Sequence, residues 1–139
     1  MDALDIAQKG RYSGKAFKEF RLPYLINRYF VSEGSEYLVS DNIRAMCSFR
    51  NEDVIVADPP RPLDLVSCRN LLIYMKGELQ GKMISKFYDA IRPEGLLFLG
   101  MSENIGLSGA ATFTPIDPSL RIFSRKSRAA AHDGKAGSI

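Results

Sequence analysis

Polar side chains that could do chemistry cluster at two points of this chain. An apolar run at residues 63–67 passes Cys68 and ends abruptly in Arg69 and Asn70. A second run, at residues 96–101, ends in Ser102, Glu103 and Asn104. Between the two lies an amphipathic segment, so the order is strand, helix, strand, the unit from which parallel sheets are built. Ligands of open α/β sheets bind just beyond the carboxyl ends of the strands. The two polar clusters are therefore the first candidates for ligand contact. Acid–base and nucleophilic schemes have little to work with: His132, in the tail, is the single histidine, and Cys47 and Cys68 are the two cysteines. Ser/His and Cys/His triads are set aside, and no metal site is expected.

The elements that must position these clusters can be read from periodicity. Leu79, Met83, Phe87 and Ile91 recur every four residues and give one apolar stripe, while Lys82, Lys86 and Asp89 fall away from it. Pro93 is expected to stop the helix and Gly95 to turn the chain into the next strand. Gly81 inside the helix costs roughly 1 kcal/mol relative to alanine, so packing on a sheet must support it. Upstream, residues 3–9 read as a helix end with Gly10 as its stop, residues 11–14 as a turn, and residues 16–29 as two helical pieces interrupted at Pro23. Residues 37–39 and 46–49 read as strands joined by a turn or cap cluster at Ser40, Asp41 and Asn42. Val54 to Val56 form a short apolar run before Pro59, Pro60 and Pro62 enforce an extended connection. Residues 105–111 read as a loop, and residues 113–125 as a hairpin turning at Asp117, Pro118 and Ser119. Residues 127–139 have no apolar period and are expected to be disordered.

Composition narrows the class. The chain has 139 residues, 45% hydrophobic and 25% charged, with a net charge of +3 to which the basic tail contributes. That suits one globular domain. It gives little support for a nucleic-acid partner. No apolar run approaches the 18 or so residues of a membrane span, and residues 1–12 lack a signal-peptide core. No membrane insertion is expected, and a cytoplasmic protein is the default.

At residues 63–104 the sequence resembles a known family. LDLVSCRNLLIY, a helix containing Gln80, RPEGLLFLGMSENI, then Phe113 and LRIFSRK, resemble the C-terminal half of the CheR catalytic domain, also found in CheB/CheR fusions. ALDIAQKGRY, RYF and SFRNEDVIVADPP occur upstream in the family's order. CheR proteins are S-adenosylmethionine-dependent methyltransferases that esterify glutamate side chains of chemotaxis receptors. The resemblance implies an α/β fold: the C-terminal half of a Rossmann-like class I methyltransferase sheet, ending in a β-hairpin, over residues 1–126. It implies S-adenosylmethionine as donor, S-adenosylhomocysteine as product, and a chemoreceptor cytoplasmic domain or another acidic protein as substrate. A glycine-rich antiparallel excursion binds a receptor's C-terminal peptide in some members. Here that stretch holds only Gly34, so tethering of that kind is not expected.

By the same resemblance, Arg69 and Asn70 match donor-contacting positions, as do Asp53 and Val54. Asp53 stands where an asparagine is usual, and a carboxylate accepts hydrogen bonds but donates none. Tyr74 matches a tyrosine near the acceptor glutamate, and Glu103 with Asn104 matches a run that organises its loop. Taken as residues alone, Arg69 and Asn70 read equally as a turn with a helix cap, Asp53 as a turn residue, Tyr74 as a core aromatic and Cys68 as a buried thiol.

The donor-cradling Gly-rich loop and the acidic residue after the second strand, both expected in such a fold, are not visible in the sequence. This leaves two readings. In one, the chain is part of an enzyme, inactive without the missing half; in the other, it is a non-catalytic module that dimerises or docks through an exposed sheet edge.

Overall fold

A computed structural model describes residues 2–127, so the expectation for the tail falls, but for residue 127, outside them. The described chain divides into two compact units, residues 2–52 and 53–127.

In the first unit, helix α1 (Ala3–Lys9) stops at Gly10, whose left-handed φ of 60° lets its N–H cap the helix carbonyls. Next come strand β1 (Arg11–Ser13), helix α2 (Pro23–Tyr29), strands β2 (Phe30–Glu33) and β3 (Glu36–Val39), and helix α3 (Asp41–Ala45). The strands form an antiparallel sheet in the order β1-β3-β2. Pro23 begins α2 rather than interrupting a longer helix, a position where its missing N–H costs nothing. Two local expectations are corrected. Residues 11–14 are not a plain turn: Arg11 to Ser13 pair with β3, and Arg11 bridges Glu33 (2.7 Å) and Glu36 (3.1 Å). Residues 46–49 join no strand: Met46, in the right-handed region, closes α3, and residues 47–49 have no regular structure. In both cases the available pairing partner, not local propensity, decides.

The second unit carries the strand–helix–strand core. Strand β4 (Leu63–Cys68) runs parallel to β5 (Ile91–Leu99), with helix α4 (Gly77–Ala90) between them in sequence. The short helix α5 (Gly106–Ala110) and strands β6 (Phe113–Asp117) and β7 (Ile122–Arg125) complete it. The sheet order is β4-β5-β7-β6, with β7 antiparallel to both its neighbours. Alternation in β5 is what a half-covered sheet requires: Leu97 and Leu99 are buried, Leu96 and Phe98 less so. Met83, Ile84 and Phe87 of α4 pack with Leu97, Leu99, Phe113 and Phe123 in one core. Each such side chain stabilises the fold by about 1.5–3 kcal/mol on burial. On β4, at the end of the sheet, Leu65 stays 53% exposed.

Three details differ from the sequence reading. The helix ends at Ala90, and Ile91, fully buried, belongs to β5 rather than to the helical stripe. Pro93 and Gly95 likewise lie within β5 rather than stopping the helix and turning the chain, and Gly95 is needed there because an added Cβ would stand 2.9 Å from the Arg92 carbonyl and 3.0 Å from that of Asp64. Residues 106–110 are helical rather than loop, with α5 against α4 at Gly81.

Candidate functional site

The carboxyl ends of β4 and β5 lie side by side, Cys68 opposite Leu99. Each strand runs into a tight turn, and the two turns are tied together by one side chain. Asn70 adopts a left-handed φ of 60°, a conformation asparagine tolerates better than most residues. Leu71 returns to the right-handed region and leads into a 3₁₀ turn (Leu72–Tyr74). This alternation aims successive N–H groups into one concavity, a geometry that binds anions.

The anion is supplied from within. Glu103, 3% exposed, accepts hydrogen bonds from the N–H groups of Asn70 (2.9 Å), Leu71 (2.8 Å), Leu72 (2.7 Å) and Gly100 (2.6 Å). Burial pushes its pKa up, but the four backbone donors together outweigh that and hold the carboxyl below its ordinary value. Gly100 is required for the approach: a Cβ there would stand 2.7 Å from the Glu103 carboxylate and 2.4 Å from the Asn70 side chain. The far end of the 3₁₀ turn is held by Gln80 of α4, whose amide donates to the carbonyls of Leu72 (2.9 Å) and Met75 (3.0 Å).

The rim so fixed presents three side chains. The guanidinium of Arg69, exposed, lies 4.7 Å over the ring of Phe98. Asn70 is exposed, and among the described residues its side-chain amide takes no hydrogen-bond partner, so it caps nothing. Tyr74 is 82% exposed. That corrects the core-aromatic reading of Tyr74: the turn faces its ring outward, while Leu72 fills the core below.

Asp53 and Val54 are held by a different set of contacts. The Asp53 carboxylate accepts the N–H of Ile55 (2.9 Å), and its carbonyl accepts those of Val56 and Ala57, which is the turn reading of that residue. Lys86 of α4 donates to the carbonyls of Val54 (3.2 Å), Ile55 (2.9 Å) and Ala57 (2.9 Å). No hydrogen bond among the described residues joins this turn to Arg69, Asn70 or Tyr74. Cys68 is buried, and burial together with the Glu103 charge pushes its thiol up to about 11, so it is no nucleophile. Asn104 accepts the N–H of Ile105 (2.8 Å) at the start of α5.

A family model for the CheR methyltransferase, SAM binding domain, matches residues 1–119. The chain belongs to the CheR family. Its mixed α/β unit of parallel β4 and β5 with antiparallel β7 is accordingly part of a class I S-adenosylmethionine-dependent methyltransferase fold. Among curated proteins, this CheR-family chain is 28% identical to the "Putative methyltransferase Cher3" of Pseudomonas putida over 133 residues, 90% of the chain and 48% of that protein. It is 31% identical to "Chemotaxis protein methyltransferase 2" of Pseudomonas aeruginosa, across 73% of the chain and 38% of that protein. It is 36% identical to the "Chemotaxis protein methyltransferase" of Listeria innocua, across 55% of the chain and 29% of that protein. The chain spans less than half the length of each of these relatives.

Sequence reasoning named Arg69, Asn70 and Tyr74, all exposed in the turn after β4, together with Asp53 and Val54, which sit in a separate turn held by Lys86. It assigned Glu103 to loop organisation without its partners, three of which lie 31 to 33 positions earlier. It did not anticipate the roles of Gln80 or Lys86. The local signal for Glu103 was an acid three residues after a glycine at a strand end.

Proposed function

We propose that this chain supplies the donor- and acceptor-contacting rim of a methyltransferase that forms methyl esters on glutamate side chains of chemoreceptor cytoplasmic domains. The observation that carries the reading is the exposed trio Arg69, Asn70 and Tyr74 just beyond the carboxyl end of β4, on a turn fixed at both ends and tied to the end of β5 by Glu103. The residues fit part of the donor. The Asn70 amide, free to donate and accept, and the Arg69 cation suit the polar groups of S-adenosylmethionine.

When bound, S-adenosylmethionine offers a sulfonium methyl carbon to which a carboxylate oxygen bonds as the carbon–sulfur bond breaks, giving a methyl ester and S-adenosylhomocysteine. A glutamate acceptor is already ionised at neutral pH, so no strong general base is needed. The work left to the protein is orientation and partial exclusion of water. Arg69 and Asn70 bind, and the Tyr74 hydroxyl orients the acceptor carboxylate. Asp53 and Val54 line the donor site only if their turn reaches it, and Asp53 then contributes a carboxylate already engaged with Ile55.

No Gly-x-Gly pair occurs in the 139 residues. In this reading the opposite wall of the donor pocket comes from a further protein segment, the 139 residues alone bind donor weakly, and they do not turn over. A second reading, a non-catalytic module that associates through β4, takes support from the exposed Leu65 on that end strand.

Transfer of labelled methyl from S-adenosylmethionine to a chemoreceptor cytoplasmic domain distinguishes the two. Base-labile label, released as methanol, is expected when the chain is joined to a segment bearing a Gly-rich loop. Failure to label in that joined form would favour the associating module.

A further inference from the structure

We propose that Glu103 is the positioning residue of the donor site, acting through the backbone of residues 70–72 and never touching the ligand itself. This rests on the reading of Arg69 and Asn70 as donor contacts. Asparagine tolerates the left-handed conformation of Asn70, but tolerance alone does not fix it there. Here one buried carboxylate takes the N–H of Asn70 itself and those of the two residues after it, while its remaining bond ties them to Gly100 on the neighbouring strand end. The Asn70 side chain, exposed and without a hydrogen-bond partner among the described residues, is thus aimed by its backbone. Gln80 fixes the other end, so the segment from Asn70 to Met75 has little freedom left.

The same bonds close off a competing role. Four N–H groups converging on one point make an anion site, but Glu103 fills it, so the concavity is not where a substrate carboxylate binds. Glutamine at position 103 keeps size and shape yet replaces one accepting oxygen with a donating NH₂, which faces N–H groups and releases part of the turn.

The test is a titration of the ¹⁵N-labelled chain with S-adenosylhomocysteine, monitored by NMR, for the wild type and for Asn70→Ala, Glu103→Gln and Gln80→Ala. For Glu103→Gln the expected result is a dispersed spectrum whose changes centre on residues 69–74 and Gly100. Donor affinity should fall at least fivefold, with core amides of α4 and β5 still protected. A merely structural glutamate would lower the melting temperature and leave the affinity of the folded protein unchanged; that result overturns the proposal. Should Glu103→Gln not fold, Gln80→Ala, which loosens the same turn from its other end, must show the affinity loss or the proposal fails. Asn70→Ala separates the two levels. Wild-type affinity in that variant, or no binding by the wild type, overturns the donor-site reading itself. Weakened binding by Asn70→Ala with normal binding by a folded Glu103→Gln overturns only the positioning role.

Discussion

The carboxylate of Glu103 accepts the backbone N–H of Leu72 at 2.7 Å across 31 residues of sequence, joining the turn after one parallel strand to the turn after the next. Hydrogen bonds to a charged group contribute about 1.5–3 kcal/mol each, and leaving a buried donor unpaired costs a similar amount.

Glu103→Gln is therefore expected to destabilise the chain by about 2–4 kcal/mol at pH 7, measured by urea unfolding. The difference should depend on pH. The folded carboxyl titrates below the unfolded value of about 4.3, so its contribution is full above that pH and lost as pH falls through the lower folded value. Wild type and variant should converge in acid; a gap that stays constant down to the acid limit would contradict the role of the charge.

Gly100→Ala tests the same relationship from the other side. Its Cβ would stand 2.8 Å from the Asn70 nitrogen and 2.7 Å from the Glu103 carboxylate, so the ties between the turns must open. A loss of about 1–3 kcal/mol is expected, with faster amide exchange at residues 70–72. Unchanged exchange there would show that the carboxylate does not need the space.

Gly81→Ala should go the other way. The site is helical, and the added methyl would meet only Ser108 Oγ at 3.5 Å, an ordinary contact. Thermal unfolding should show a gain of about 0.5–1 kcal/mol. A loss would mean that α5 packs more closely on α4 than these distances imply.

Much of the second unit was legible because its periodicities are strong and local. The stripe of Met83 and Phe87, the apolar run of β5 and the hairpin turning at Asp117, whose carboxylate accepts the Leu120 N–H, needed no distant information. Strand β1 was not legible, since three residues form a strand there only because β3 offers an edge. The outward Tyr74 could not be told from a core aromatic without knowing that Leu72 takes the inward position of the turn. The reach of Lys86 to the Val54 turn and of Glu103 to Asn70 spans 32 and 33 residues, beyond what spacing along a chain can reveal.

Iodoacetamide should separate the two cysteines. Cys47 is exposed, while Cys68 is buried with its thiol pushed up to about 11, so Cys68 holds little thiolate in mildly alkaline buffer. Peptide mass spectrometry should show Cys47 alkylated well ahead of Cys68, and similar rates once the chain is unfolded in urea. Rapid labelling of native Cys68 would place the end of β4 in solvent.

Whether the rim beyond β4 and β5 meets the methyl donor decides between an enzyme part and an associating module. Mapping S-adenosylhomocysteine onto the ¹⁵N spectrum of the wild-type chain asks this most directly. Saturable shifts confined to Arg69, Asn70 and the residues through Tyr74 are predicted, weak in affinity but absent with adenosine-free homocysteine at the same concentration. No shifts at millimolar ligand, or shifts elsewhere, would contradict it.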